Sequence, residues 1–173
     1  MIRIQTPRLI IREVEEKDFT TLHSIYTQQE TMKYISSGKY DWTMEELKSK
    51  YEKINTDYPS GFGIFAVQLT DQPIVIGEAG LFNSFDNPAM LELGYILDQH
   101  HWHKGYGKEI CNGLIRYCKE QLQTEKVIAR MYAENIASVK LSEATGMTRT
   151  ETGTTPQGKE FYTYEINTGK RTI

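Results

Sequence analysis

The sequence predicts an α+β fold: one domain over residues 1–173, built on a single mixed, mostly antiparallel sheet with helices on both faces. Two observations predict it. Gly61–Leu69, Pro73–Phe82 and Met90–Asp98 are β-rich runs of strand length joined by short links, the pattern of an antiparallel meander. The third run then leads into a helical segment and another strand, a β-α-β unit whose crossover is right-handed. Length and composition agree, since 173 residues with 39% hydrophobic and 25% charged residues bury a core without disulfides or metal.

Each element has its own signal. Arg8–Val14 (RLIIREV) has strand composition, and Thr6-Pro7 before it holds the chain extended. Lys17–Gln28 spaces Phe19, Leu22 and Ile25 at three-residue intervals, as a short amphipathic helix does. Thr43-Met44-Glu45-Glu46 reads as a capping box, so a helix runs from there to about Asp57, before Pro59. The meander follows, with Thr70-Asp71-Gln72 as a tight link and Asn83–Pro88 as a longer one. Lys104–Gln121 reads as a helix with Ile110, Leu114, Tyr117 and Cys118 on its buried face. Lys126–Tyr132 is a strand, and Asn135 caps a helix over Ile136–Ala144 that Gly146 ends. Met147–Thr152 and Glu160–Ile166 alternate about a turn at Pro156-Gln157-Gly158 and form a hairpin. The predicted order is β-α-α-β-β-β-α-β-α-β-β.

Charge and hydropathy exclude some partners. Lys and Arg number 20 against 23 Asp and Glu, a net charge of −3, which is no footprint for nucleic acid. No stretch approaches the roughly 20 apolar residues of a membrane span. The N-terminus MIRIQTPRLIIREVEEKD is charged throughout and has no apolar signal-peptide core. Cys111 and Cys118 lie on one face of a helix, roughly 10 Å apart along its axis, too far to bridge. Two reduced, core-facing thiols suit a cytoplasmic protein.

The most informative stretch is Glu92–Glu109, ELGYILDQHHWHKGYGKE. A strand ends, a short loop carries Lys104-Gly105-Tyr106-Gly107-Lys108, and a helix begins at once. Backbone N–H groups at the positive end of the helix make an anion site of phosphate or pyrophosphate size. On the glycines alone, a turn of purely structural purpose is the preferred reading. The P-loop pattern GxxxxGK[ST] is absent, and the dinucleotide GxGxxG belongs after the first strand of a parallel unit, not after a meander. The second patch is Asn135-Ile136-Ala137-Ser138, capping residues by type, just after the strand Lys126–Tyr132. The two strand–helix junctions, at 98–107 and 132–138, are neighbours in the sheet. If their strands splay, a rod-like ligand can thread between them.

Taken in order, TPRLIIRE, ELGYIL, WHKGYGKE and ENIASVKLSEATGM resemble the GNAT superfamily of acetyl-CoA-dependent N-acetyltransferases. The resemblance runs from about Thr6 to Ile166 and is strongest to the ribosomal-protein N-terminal acetyltransferase branch. It implies the acyl-CoA N-acyltransferase fold, and acetyl transfer from acetyl-CoA to a primary amine, either a protein N-terminus or a small-molecule amine. It also implies that His103, Lys104, Gly105, Tyr106, Gly107 and Lys108 hold the pyrophosphate, that Asn135 holds the pantetheine arm, and that Ser138 assists the departing thiolate. Trp102 takes the first position of the superfamily's Gln/Arg-x-x-Gly-x-Gly/Ala loop. His103 stands where the branch often has Gly or Asn, so its φ must suit a non-Gly residue. The Asn-x-x-Ser junction replaces the Tyr that other branches use as general acid.

Acyl transfer to an amine needs a proton acceptor, because a protonated amine has no lone pair. Glu92, acting through water, is the preferred candidate, and Glu78 the second. Alternation along Leu91-Glu92-Leu93 puts Glu92 on the face opposite the two leucines, which pack on a helix. A bulge between 92 and 96 would upset that parity. Backbone N–H near Ile96 and Leu97, where the strands part, would stabilise the tetrahedral oxyanion. Direct attack needs no acyl-enzyme, and neither Cys lies at a strand end beside a base. His100, His101 and His103 with Asp98 lack zincin spacing, so no metal is expected. Tyr34, Tyr40 and Trp42 fit either an acceptor wall or the core. A catalytically idle acyl-CoA-binding or sensing domain is the rival reading; turnover of CoA with an amine panel separates the two. A structural module would leave both junctions unexplained. No residue selects among a protein N-terminus, a polyamine, an amino acid and an aminoglycoside-like drug as acceptor, and none marks an oligomeric state.

Overall fold

Alternating apolar residues build one sheet whose two faces are each covered by helices. The computed structural model describes residues 1–35, 38–84 and 90–169. The strands are β1 (Ile2–Gln5), β2 (Leu9–Glu13), β3 (Gly63–Leu69), β4 (Val75–Asn83), β5 (Leu91–Leu97), β6 (Lys126–Tyr132), β7 (Thr148–Thr154) and β8 (Glu160–Asn167). The helices are α1 (Phe19–Tyr26), α2 (Gln29–Met32), α3 (Met44–Ile54), α4 (Tyr106–Tyr117) and α5 (Ile136–Ala144). The sheet order is β1-β2-β3-β4-β5-β6-β8-β7. The β5–β6 pair is parallel, as a β-α-β crossover through α4 requires, and the other pairs are antiparallel. Among the described residues no helix is long and apolar enough to cross a membrane.

The Arg8–Val14 strand, the meander, the crossover and the terminal hairpin stand where the sequence places them, and one further strand precedes them. β1 precedes the predicted series, so the order gains a strand at its start. Four residues are too few for alternation to register, yet β1 is tied to β2 by Arg3 Nη2 donating to Glu13 Oε1 at 2.6 Å. Helix α2 is a single turn whose only apolar residue is Met32. The helix expected from Lys104 begins at Tyr106, because Gly105, at φ 81°, is its N-cap. It gives way at Cys118–Leu122 to a π turn, ended by Gln123 at φ 54°. The capping box of α3 forms in both directions, Glu46 N–H to Thr43 Oγ1 at 3.2 Å and Thr43 N–H to Glu46 Oε2 at 2.9 Å. The link expected over Asn83–Pro88 falls largely outside the described residues.

One face of the sheet buries Leu9, Ile11, Phe65, Leu81, Leu91 and Leu93 against Ile110, Cys111 and Leu114 of α4. The other buries Ile64, Ala66 and Ile96 against Leu22, Ile25, Tyr26, Leu47 and Tyr51 of α1 and α3. Both cysteines are free and buried, on the α4 face. The start of α1 is anchored by an ion pair: Arg12 Nη1 and Nη2 donate to Asp18 Oδ2 and Oδ1 at 2.7 and 2.8 Å, and Asp18 Oδ2 also accepts from Glu15 N–H at 2.8 Å. Burial pushes the Asp18 carboxyl up, but its hydrogen bonds and the Arg12 charge outweigh that and hold it below the usual value.

Candidate active site

The site begins with a gap in the sheet. β5 and β6 pair only at Leu91–Val127 and Glu92–Ile128. Beyond Glu92, β5 stays paired to β4 as far as the Gly77–Leu97 pair, while β6 stays paired to β8 as far as Tyr132–Phe161. Each strand is therefore held by its outer neighbour, and the two part. The β4–β5 register runs without a shift, so no bulge disturbs parity between 92 and 96. Asp98 N–H donates to Ile76 O on the β4 side at 2.9 Å. By strand alternation Ile96 N–H also turns toward β4, and Leu97 N–H turns into the gap. The Trp102 indole donates to Leu97 O at 2.9 Å and ties the loop after β5 to that strand end.

The Gly-rich loop stands at one rim. Asp98 starts it as a cap, accepting from His100 N–H at 3.0 Å. His103 has φ 59° and Gly105 φ 81°, both in the left-handed region. The His103 position thus carries the conformation that suits Gly or Asn, at a cost of roughly 1–2 kcal/mol for a residue with a Cβ. The helix's first hydrogen bond is Glu109 N–H to Gly105 O at 3.2 Å. Tyr106, Gly107 and Lys108 N–H precede it and have no partner within the helix. A Cβ on Gly107 would stand 2.9 Å from Leu141 Cδ1 and 3.4 Å from Tyr95 Cε2, so the bare Cα lets the Leu141 tip and the Tyr95 ring pack directly on the start of α4.

At the opposite rim Asn135 Oδ1 accepts from Ser138 N–H at 3.2 Å and caps α5. The Ser138 side chain stands beside the Tyr95 phenol, close enough to pull its pKa down. Sequence reasoning did not assign Tyr95 a role. It follows Leu91 and Leu93 on the α4 face, and its ring packs against Gly107 at the start of α4. Burial pushes the Tyr95 phenol up to about 12, with Ser138 pulling the other way. The signal was a polar-tipped aromatic on an apolar strand face; its partner, on another element, could not be read locally. Burial likewise pushes the Cys111 thiol up to about 12 and Cys118 to about 11, far from a reactive thiolate.

The two carboxylates share the face opposite Leu91 and Leu93. Glu92 is 8% exposed and belongs to the last pair before the strands part. Glu78 lies deeper along the same face, beside Ile96. Between them Gly80 pairs with Gly94, and the Phe82 ring lies over both, its atoms 3.4 Å from where a Cβ on either would stand. Glu78 is engaged on both oxygens. Oε1 accepts from the Tyr26 hydroxyl at 2.6 Å and from Lys50 Nζ at 3.3 Å, and Oε2 accepts from the Tyr51 hydroxyl. Burial, then the Glu78 charge, pushes both tyrosines well above their ordinary pKa, which keeps them as neutral donors. Trp42 joins the α1–α3 core, with its ring edge-on to Tyr26 at 5.4 Å, while Tyr40 is 45% exposed. Among the described residues no group of three or more His, Cys, Asp or Glu converges as a metal site would.

The chain resembles known proteins over nearly its whole length. Residues 8–148 match the family model described as acetyltransferase (GNAT) domain. The chain is 28% identical over 148 residues to the uncharacterized N-acetyltransferase YnaD of Bacillus subtilis, covering 86% of this chain and 84% of that protein. It superposes on a GNAT-family acetyltransferase from Bacillus anthracis with a TM-score of 0.83 at 26% identity, covering 97% and 99% of the two chains. It also superposes on RimL, a ribosomal L7/L12 alpha-N-protein acetyltransferase in complex with coenzyme A, with a TM-score of 0.82 at 12% identity, covering 96% and 98%.

Proposed function

The chain belongs to the acetyltransferase (GNAT) domain family, and from that membership we propose that it moves an acetyl group from acetyl-CoA to a primary amine by direct attack in a ternary complex. The parting of β5 from β6 just beyond Glu92 carries the reading. It leaves a slot with helix N-termini on both rims and a carboxylate at its base. In this reading the N–H groups from Tyr106 to Lys108 hold the diphosphate, with the loop of His103, Lys104 and Gly105 shaping their approach. Asn135 contacts the pantetheine arm. The amine lies between Glu92 and the Phe82 ring beside the Gly80–Gly94 floor, an acceptor being a protein N-terminus or a small-molecule amine.

Glu92 takes the ammonium proton, directly or through water, because it lies where the slot meets that floor. Glu78 is the weaker candidate, since both its oxygens already serve α1 and α3. The freed amine attacks the thioester carbonyl, and Leu97 N–H, turned into the gap, stabilises the oxyanion. The C–S bond then breaks, and Ser138, beside Tyr95, donates to the departing CoA thiolate. Cys111 and Cys118, buried and protonated, take no acyl group. The test is thiol release from acetyl-CoA across protein N-termini, polyamines, amino acids and aminoglycosides. Amine-dependent release supports the reading. CoA binding without release with any amine would leave a sensing domain instead.

A further inference from the structure

We propose that Arg8, in the β1–β2 turn, is a positioning residue of the diphosphate site. The proposal rests on the acyl-CoA reading above. Arg8 reaches the Gly-rich loop from about a hundred residues away in sequence. Its Nη1 donates to Lys104 O at 2.9 Å, its Nε to Glu109 Oε2 at 2.7 Å, and its backbone N–H to Glu109 Oε1 at 2.8 Å. Thr6 Oγ1 donates to the same Oε1 at 2.6 Å. The guanidinium lies 4.5 Å from the centre of the Tyr106 ring, and Nη2 stands 3.4 Å from where a Cβ on Gly105 would be.

These contacts solve an electrostatic problem. Glu109 sits in the first turn of α4, where its charge competes with an anionic ligand for the positive helix end. The Lys104 carbonyl is a second negative end beside the same N–H groups. Arg8 takes hold of both, and its own charge offsets that of Glu109. Burial raises the Glu109 carboxyl, but the bonds from Thr6 and Arg8 prevail and hold it below the usual range, so the carboxylate is ionised and needs that cover. The motif TPRLIIRE thereby acquires a task beyond starting a strand.

The test is calorimetric titration of CoA into wild type, Arg8→Ala, Arg8→Lys and Arg8→Ala/Glu109→Gln. Losing a charge-assisted contact set of this kind should weaken CoA binding by roughly 10- to 100-fold in Arg8→Ala. Arg8→Lys should recover little, because an ammonium cannot serve Nε and Nη1 partners together. Arg8→Ala/Glu109→Gln should bind more tightly than Arg8→Ala, since the uncovered carboxylate is gone. Turnover of S-acetylpantetheine, which lacks the diphosphate, should be unaffected by Arg8→Ala. If Arg8→Ala does not fold, Arg8→Lys carries the test, by weakened CoA binding at an unchanged melting temperature. CoA affinity equal to wild type, no recovery in the double variant, or an equal loss on S-acetylpantetheine would overturn the role of Arg8 alone. Absence of CoA binding by the wild type would overturn the acyl-CoA reading with it.

Discussion

Glu92 and Ser138 can be tried by different signatures. If Glu92 relays a proton, Glu92→Gln cuts kcat/KM most at low pH, where neutral amine is scarce. The loss shrinks as pH approaches the amine's own pKa, about 7.7–8 for an α-amine and about 10.4 for a lysine-like one. A loss that is flat with pH would leave Glu92 only a binding role. Ser138→Ala should lower kcat with CoA affinity nearly unchanged, because thiolate charge develops late; Tyr95→Phe should do the same more weakly, by freeing the serine rotamer. A Ser138→Ala enzyme as fast as wild type on a good acceptor would remove the leaving-group role. At this scale strand alternation made Glu92 readable, since one residue on either side fixes its face. Tyr95 was not readable, because its partner sits at the far rim and only the gap brings them together.

Elements were legible where they carry their own punctuation. The α3 box, the α5 cap at Asn135 and the stop at Gly146 all depend on residues within one turn. β1 depends on Arg3 reaching Glu13, and the late start of α4 on the left-handed turn through His103 and Gly105. That turn supports a clean pair of variants. Gly105→Asn keeps a residue that tolerates φ 81° and adds no charge, so CoA binding should survive with modest weakening. Gly105→Asp adds a carboxylate before the helix end and should abolish binding while the circular dichroism spectrum stays native. Equal affinity of the two by calorimetry would separate the loop from the diphosphate. His103→Asn should raise stability slightly and His103→Val lower it, read as opposite shifts in melting temperature.

For the whole molecule, the hairpin was expected but not which of its strands would lie against β6. The structure inserts β8 there and leaves β7 at the edge, a choice made by long-range contact. Acid stability is also collective. Asp18, Asp98 and Glu109 all have folded values held below the ordinary ones, by hydrogen bonds that overcome burial. The unfolded chain therefore binds more protons in acid, so their contribution is complete above the ordinary carboxylate range and is lost as pH falls through the folded values. Denaturant unfolding should give a stability that drops below about pH 5. Asp18→Asn, which leaves Arg12 without its buried partner, should cost about 3–5 kcal/mol at neutral pH and flatten that acid slope. The two-rung junction between β5 and β6 has a further consequence, in the breathing of the fold. Everything from β1 to β5 forms one ladder and β6-β8-β7 another, so opening fluctuations concentrate at their seam. Amide exchange at Tyr95 and Leu97, whose N–H groups face the gap by alternation, should outpace that at Ile96 on the paired edge. A bound acyl carrier would act as the missing rungs, and its saturation should slow Tyr95 and Leu97 exchange toward that of the ladder interior.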